Sequence, residues 1–458
     1  MSRLVIVSNR VGPVRDSARA GGLAVAIVEA LKESGGLWFG WSGEVSEDGT
    51  HGALKTETVG RVELATVDFS PDDYRLHYAG YTNRTLWPIL HYRLDLAEFD
   101  REMDRAYRAV NERFAARLFP LLKPDDVIWV HDYHFLPLAA TLRAMGAEQP
   151  IGFFLHIPFP VPEILTALPN HAALVRAMMA YDLIGFQTER DRRSFERYLQ
   201  EEADAVVSAE GRVRAYGRTV TAGAFPVGID AESFARFATS ADARRQVDRL
   251  TRMIADGLQI IGVDRLDYSK GLPERFRAYA EMLEKYPDTR SHVSMLQIAP
   301  PSREELDAYI EIRQELEQIT GNVNGRYSSF DWVPIRYITR GFQRRTLAGL
   351  YRFSRIGLVT PLRDGMNLVA KEYVAAQDSE DPGVLVLSRF AGAAETLDGA
   401  LIVNPFNIEA VADTLQRAVH MPLDERQARW TRLWDTVRQH DAAAWREAFL
   451  TSLKSCRA

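Results

Sequence analysis

The chain has 458 residues, 46% of them apolar and 26% charged, which fits a globular protein of two or three domains and excludes a disordered or fibrous chain. Its 56 Lys and Arg against 62 Asp and Glu leave a formal charge of −6, so it is no general polyanion binder, and any phosphate recognition is confined to local basic sites. The single cysteine, Cys456, excludes an intrachain disulfide and a cysteine-based zinc site, and fits a reducing cytoplasm.

The first apolar run, Leu4-Val-Ile-Val7, is too short for a signal-peptide core and reads as a buried strand. No stretch of 18 apolar residues follows, and the most apolar segment, 151–165, is broken by His156 and three prolines, so no membrane span is expected. Short β-rich runs then alternate with amphipathic helical segments, a pattern that demands crossover connections and parallel, doubly wound sheets. In the first half, strands are expected at 4–8, 127–131, 151–155 and 182–186. Helices are expected at about 22–33, 100–120, 135–145, 171–180 and 189–202. The less regular aromatic stretch 36–95, with Trp38, Trp41, Tyr74, Tyr78, Tyr81 and Trp87, is expected to form a cap or rim.

Phe225-Pro-Val-Gly-Ile-Asp230 then punctuates the chain, and the charged segment 231–256 reads as a surface helix leading into a second domain. That domain repeats the alternation, with strands at 259–263, 292–298, 332–338, 355–359, 383–387 and 400–403 and helices beginning near 273, 302, 342, 366 and 407. The expected division is 1–237 and 238–425. A Trp-rich helical segment, 426–458, is expected to fold back over the first domain. The fold class is therefore α/β, with two Rossmann-like doubly wound domains facing a cleft.

Open parallel sheets bind ligands outside the carboxyl ends of their strands. After strand 355–359 comes Thr360-Pro-Leu-Arg-Asp-Gly-Met-Asn-Leu-Val-Ala-Lys-Glu-Tyr373. There Gly365 allows a tight turn, and the amides of Met366 to Ala370 at a helix start offer a seat for a phosphate or diphosphate. Of Asp364 and Glu372, one then suits a sugar hydroxyl and the other a ribose; the bland alternative is a helix cap followed by a solvated Glu. After strand 259–263, the loop beginning at Asp264 presents Arg265 and Lys270, two cations able to stabilise a departing diphosphate without a metal. Either alone reads as a surface charge.

In the first domain, strand 4–8 leads to Ser8-Asn-Arg10 and then Ala20-Gly-Gly-Leu-Ala24, which is not the G-x-G-x-x-G spacing of a dinucleotide fingerprint. Gly21 and Gly22 either admit a sugar or phosphate close to the backbone or merely start a helix. His131-Asp-Tyr-His134 invites a metal reading, but no Cys or carboxylate cluster accompanies it. Asp132 is better suited to sugar hydroxyls, and His156 either meets a donor sugar or is a satisfied core histidine.

Together Ser8-Asn-Arg10, Gly21-Gly22-Leu23, Leu37-Trp-Phe-Gly-Trp-Ser-Gly43, Trp129-Val-His-Asp-Tyr-His134, Phe154-Leu-His-Ile-Pro-Phe-Pro160, Arg265-Leu-Asp-Tyr-Ser-Lys-Gly271 and Asp364-Gly-Met-Asn-Leu-Val-Ala-Lys-Glu372 closely resemble the trehalose-6-phosphate synthase family, in order and end to end. The resemblance implies a GT-B type, retaining glucosyltransferase of trehalose biosynthesis and stress protection. It implies that glucose passes from UDP-glucose to glucose 6-phosphate, giving α,α-trehalose 6-phosphate and UDP. Carried over by motif position, it implies a donor site of Gly21, Gly22, Arg265, Lys270, Phe342, Asp364, Leu368, Val369, Ala370, Lys371 and Glu372. It implies an acceptor site of Arg10, Trp41, Tyr78, Asp132 and Arg303, with Trp87 shaping the choice of acceptor anomer. Asp264 stands where some relatives carry Glu, which keeps the charge.

The catalytic set that follows is Arg265, Lys270, His156 and Asp364, with no metal and no cofactor. No carboxylate is an obvious covalent nucleophile, so front-face displacement is expected in place of the two-carboxylate glycosidase scheme. The resemblance further implies a cytoplasmic homo-oligomer, a tetramer, acting without nucleic acid or membrane. Because it occupies all 458 residues, a separate phosphatase is expected to act on the product. Two other readings are a related glycosyltransferase with another donor or acceptor, such as a glucosylglycerol-phosphate synthase, and a non-catalytic sugar-phosphate sensor. The sensor predicts gaps in the donor constellation, and the sequence has none.

Overall fold

The computed structural model describes residues 2–12, 27, 31, 35–47, 52–208, 210–254 and 257–456. The chain divides into two compact units, Met1–Pro226 with Trp445–Ala458, and Val227–Ala444.

The first unit holds strands β1 (Leu4–Arg10), β2 (Gly36–Val45), β3 (Lys55–Val59), β4 (Val62–Phe69), β5 (Val127–His131), β6 (Ile151–Phe154), β7 (Leu183–Phe186), β8 (Val206–Val207), β9 (Arg212–Ala215) and β10 (Arg218–Ala224). They form one sheet in the order β3-β4-β2-β1-β5-β6-β7-β10-β9-β8. From β4 to β10 every pairing is parallel; β3 and β9 pair antiparallel at the two sides. Strands covered on both faces need apolar residues on both, and Leu4–Val7 and all of β5 and β6 are buried.

The aromatic stretch 36–95 is not a rim. β2 lies parallel to β1, with Val5 opposite Leu37, and β4 lies parallel to β2. Leu37, Trp38 and Phe39 are buried in succession, so the strand shows no in-out alternation to betray it. Beyond β4, Asp73–Leu86 winds as a π-helix, a rare form that concentrates at functional sites. Helix α1 (Arg101–Leu118) starts where the Asp100 carboxylate accepts the Glu102 and Met103 amides, and α2 (Glu189–Ala203) where Thr188 accepts from Asp191. The expected helix at 22–33 lies largely outside the described residues.

The second unit begins with two helices, α3 (Ala231–Ala238) and α4 (Ala241–Ile254), where one was expected. It holds β11 (Leu258–Val263), β12 (Val293–Ile298), β13 (Ile335–Ile338), β14 (Ile356–Val359), β15 (Val384–Ser388) and β16 (Leu401–Val403), ordered β13-β12-β11-β14-β15-β16 and parallel throughout. This is the strand order of a Rossmann sheet, with its reversal between β11 and β14. The parallel part of the first sheet reverses in the same way between β1 and β5. Helices α5 (Leu272–Lys285), α6 (Asp307–Tyr327), α7 (Arg344–Phe353) and α8 (Leu368–Ala376) follow β11, β12, β13 and β14. The helix expected near 302 starts at Asp307.

The division falls at Pro226 and Val227, ahead of the expected 237. The Phe225 ring packs on Phe449 of the first unit, while Gly228 runs so close to the His440 carbonyl of the second that a β-carbon there would overlap it. The return to the first unit starts at Trp445, not at 426. Helix α9 (Leu423–Gln439) stays with the second unit: Trp430 Nε1 donates to the Val374 carbonyl at 3.1 Å, and Arg426 Nη1 lies 2.6 Å from Asp381 Oδ1. From helix α10 (Ala442–Ser455), Trp445, Phe449 and Leu453 are buried against the first sheet. The Phe449 ring stacks on Trp129 at 4.7 Å, and β-carbons on Gly152 or Gly185 would come within 2.8 and 2.7 Å of it, so the two glycines make its seat.

Candidate functional site

Where the order of a parallel sheet reverses, neighbouring loops run off to opposite faces and leave a crevice at the strand ends. In the second unit, the loops after β11 and β14 flank that point. They are bonded to each other, the Ser269 carbonyl accepting from the Leu362 amide at 2.8 Å. Lys270 Nζ lies 2.7 Å from Asp364 Oδ2, both side chains about nine-tenths buried. Asp364 also accepts from the Gly365 amide at 2.9 Å and from Asn367 Nδ2 at 3.0 Å, which fixes the carboxylate before any ligand arrives.

The turn into α8 differs from the expectation. Its left-handed residue is Asn367, with φ 66°, not Gly365. Asn367 tolerates that conformation and caps the helix, its Oδ1 accepting from the Ala370 amide at 3.3 Å. The amides of Leu368 and Val369 precede the first possible intrahelical acceptor and carry the positive end of the helix dipole. Further along α8, the Lys371 ammonium donates to the Val227 carbonyl at 2.7 Å, and burial lowers its pKa to about 8. The side chain is thus engaged inside the unit, and what it offers at the helix start is its backbone. Glu372, 12% exposed, is raised by burial to about 7, against the opposing pull of Arg344 Nη2 at 3.6 Å.

Arg265 is exposed on its loop, and Phe342 is half-buried ahead of α7 with the Arg340 guanidinium 5.1 Å over its ring. Asp264 is not a ligand-facing group: its Oδ2 lies 2.6 Å from Arg275 Nη1, both buried, and burial raises its pKa. Arg303, in the loop after β12, has φ 48° and bonds to Asp267 Oδ2 at 3.0 Å.

In the first unit the corresponding loops follow β1 and β5. Arg10 is exposed with its guanidinium 6.0 Å over the Trp41 ring. Trp41 in turn stacks on Phe69 at 4.6 Å and meets Tyr78 at 5.2 Å, and Tyr78 lies against His134 at 6.3 Å. Gly43 has φ 93°, and a β-carbon on it would overlap the Arg10 guanidinium. Trp87 is buried, its ring tilted against those of His91 and Tyr133 at 4.0 and 5.8 Å, which makes it a wall of this aromatic cluster.

Asp132 has φ 75° and ψ 166°, a region essentially reserved for glycine, and costs about 1–3 kcal/mol. Its amide donates to the Phe154 carbonyl at 2.8 Å and its Oδ1 accepts from the His156 amide at 3.2 Å, so loops after β5 and β6 hold the strain. The His156 ring pairs with His131 at 3.0 Å, and burial lowers His156 to about 3 and His131 well below its usual value, leaving both neutral. His134 turns toward Tyr133 and Tyr78, away from any shared focus with His131. Among the described residues no three His, Cys, Asp or Glu side chains gather as a metal site, and no helix is long and apolar enough to cross a membrane. Gly21 and Gly22 lie outside the described residues.

Within each unit, then, most of the expected side chains meet at a sheet reversal: Arg10, Trp41, Tyr78, Asp132 and His156 in one, Lys270 and Asp364 with the α8 start in the other. Sequence reasoning passed over Asp267, Asn367 and Tyr309. The first two left a signal, a short polar residue two or three positions ahead of the amide it caps.

Glycosyltransferase family 20 matches residues 7–455 of the chain. The chain is 50% identical over 457 residues to the trehalose-6-phosphate synthase of Sinorhizobium fredii, covering 99% of this chain and 98% of that one. Among solved structures it is similar to the α,α-trehalose-phosphate synthase (UDP-forming) of Burkholderia xenovorans in complex with glucose-6-phosphate, with 50% identity, a TM-score of 0.95 and coverage of 99% and 100%. It is similar too to an E. coli relative bound with UDP-2-fluoro glucose, with 46% identity, a TM-score of 0.95 and coverage of 99% of each chain.

Proposed function

The chain belongs to glycosyltransferase family 20, and from that premise we propose how its residues share one reaction. The protein transfers glucose from UDP-glucose to glucose 6-phosphate and releases α,α-trehalose 6-phosphate and UDP. The observation that carries this is the end-to-end match to synthases of that product, among them relatives holding glucose-6-phosphate and UDP-2-fluoro glucose.

The second unit takes the donor. Arg265 and Lys270 neutralise the diphosphate, and the Leu368 and Val369 amides receive its oxygens. Asp364 accepts from glucose hydroxyls and Glu372 from the ribose, while Phe342, Ala370 and the Lys371 backbone complete the wall. Gly21 and Gly22 belong to the donor set by their place in the motif. The acceptor's phosphate is read by Arg10 and Arg303, because guanidinium groups match phosphate in shape as well as charge. Tyr78 and Asp132 hold hydroxyls beside Trp41, and Trp87 selects the anomer.

In the reacting complex the C1–O bond to the diphosphate breaks while the acceptor's anomeric oxygen bonds to C1 on the same face. The acceptor's proton passes to a phosphate oxygen of departing UDP, and the configuration at C1 is retained without a covalent enzyme intermediate. A neutral His156 holds the sugar's hydroxyls without adding positive charge beside the developing glycosyl cation. The enzyme works in the cytoplasm as a homotetramer, supports stress protection, and leaves the product's phosphate for a separate phosphatase.

The test is incubation with glucose 6-phosphate and UDP-, ADP- or GDP-glucose, without added metal, with the product identified by NMR. The α,α-linked trehalose 6-phosphate is expected with UDP-glucose. Its absence with all three donors would reject the reading, and an α,β-linked product would reject retention alone.

A further inference from the structure

Arg303 is held in place from behind. It follows β12 in a left-handed conformation, φ 48°, which is uncommon for any residue but glycine. Its Nη1 bonds to Asp267 Oδ2 at 3.0 Å and also to the hydroxyl of Tyr309, and that hydroxyl lies 3.0 Å from the same Asp267 Oδ2. The triangle is closed and buried: Asp267 is wholly buried and Tyr309 is 2% exposed. A guanidinium is a planar fork of five N–H groups, so pinning one nitrogen sets the direction of the others.

The other oxygen of the same carboxylate faces a different group. Asp267 Oδ1 accepts from the Ser269 amide at 2.9 Å and starts the single turn Tyr268–Lys270 that presents Lys270 to Asp364. One buried carboxylate therefore holds an arginine on the β12 loop and a lysine-bearing turn on the β11 loop.

We propose that Asp267 and Tyr309 are positioning residues that aim Arg303 at the acceptor's phosphate and tie it to the donor-binding turn. This rests on the reading of Arg303 as a phosphate ligand. The Tyr309 hydroxyl meets Arg303 and the Oδ2 of Asp267, not the Oδ1 that starts the Lys270 turn, whereas Asp267 holds both loops directly, so Tyr309→Phe and Asp267→Asn separate the two substrates.

The experiment is steady-state kinetics on Tyr309→Phe, Asp267→Asn, Arg303→Ala and the Tyr309→Phe, Arg303→Ala double variant, with thermal unfolding of each. Tyr309→Phe removes one hydroxyl and is expected to raise KM for glucose 6-phosphate about 3- to 10-fold, with KM for UDP-glucose within about twofold. Asp267→Asn is expected to raise both. In the Arg303→Ala background, Tyr309→Phe is expected to change KM for glucose 6-phosphate no further, because the group it aims is gone. Multiplying effects in the double variant, or a Tyr309→Phe enzyme indistinguishable from the parent while Arg303→Ala is impaired, would overturn the positioning role. If Arg303→Ala itself leaves KM for glucose 6-phosphate unchanged, the phosphate reading of Arg303 falls first. Should Asp267→Asn fail to fold, the Tyr309→Phe cycle still decides.

Discussion

The Lys270 ammonium lies 2.7 Å from Asp364 Oδ2, and that contact joins the two loops between which the second sheet reverses its order. Both groups are already oriented by Ser269, Gly365 and Asn367, so on the proposed reading a donor meets charges whose reorganisation has been completed by folding.

Arg265 separates chemistry from stability on this loop because its side chain is exposed. Arg265→Ala is expected to lower kcat about 10²- to 10³-fold, with an unfolding midpoint close to that of the parent. Lys270→Ala is expected to lower both, since Asp364 would stay largely buried without its cation. UDP release measured beside thermal melts checks the pair; a near-normal rate for Arg265→Ala would remove it from leaving-group stabilisation.

Glu372 links stability and donor affinity with opposite signs. Burial holds its carboxyl at about 7, against the ordinary 4.5, so between those values the folded chain keeps a proton the unfolded chain has released. Stability from this group is therefore fully present below about 4.5, is lost as pH rises to about 7, and is level above. Glu372→Gln is expected to stabilise the protein by about 1–3 kcal/mol near pH 8 and to leave it nearly unchanged near pH 4. If Glu372 accepts from the ribose as proposed, KM for UDP-glucose in the parent is expected to rise as pH falls below about 7, where the carboxylate is lost. Melts and donor titrations across this range read both signs.

Asp132 reverses a familiar order. Glycine normally costs stability relative to alanine, but at φ 75° and ψ 166° only glycine is unstrained. Asp132→Gly is expected to be more stable than Asp132→Ala by about 1 kcal/mol, while both lose turnover with glucose 6-phosphate. Denaturant midpoints that rank the two the other way would show that the strain is not there.

If Arg10 reads the acceptor's phosphate as proposed, a change at Gly43 reaches the acceptor without touching it. A β-carbon at that position would occupy the place of the Arg10 guanidinium, and φ 93° adds strain of its own. Gly43→Ala is expected to raise KM for glucose 6-phosphate about tenfold and leave KM for UDP-glucose unchanged, as a displaced charged hydrogen bond would. Initial rates over a grid of both substrates distinguish this from a general loss of folded enzyme.

Much of this was legible in the residues. Strands such as Val127–His131 and Leu183–Phe186 announce themselves because parallel strands covered on both faces are short and apolar throughout. The same property hid β2: Leu37-Trp-Phe39 is buried on both faces, and its aromatic content suggested a rim. The motifs gave the addresses of Lys270 and Asp364 but not their contact, which depends on two loops 94 residues apart being brought to one sheet reversal. Asp267 and Asn367 were overlooked because their work is done on the backbone and on other side chains. The start of the returning segment was misplaced because α9 and α10 are both helical and Trp-bearing, and only packing tells which sheet each one covers.

The seat of Phe449 over Gly152 and Gly185 has a consequence for biosynthesis. The second unit is inserted within the first, so the unit whose synthesis starts earlier is the one completed later. While residues 227–444 are translated, roughly 10–40 s at 5–20 residues per second, β6 and β7 wait for the α10 side chains that cover Gly152 and Gly185. The inserted unit has no such wait. A nascent chain of this protein thus carries a built-in delay, and a holding chaperone would find its target on the amino-terminal half long after that half has left the ribosome.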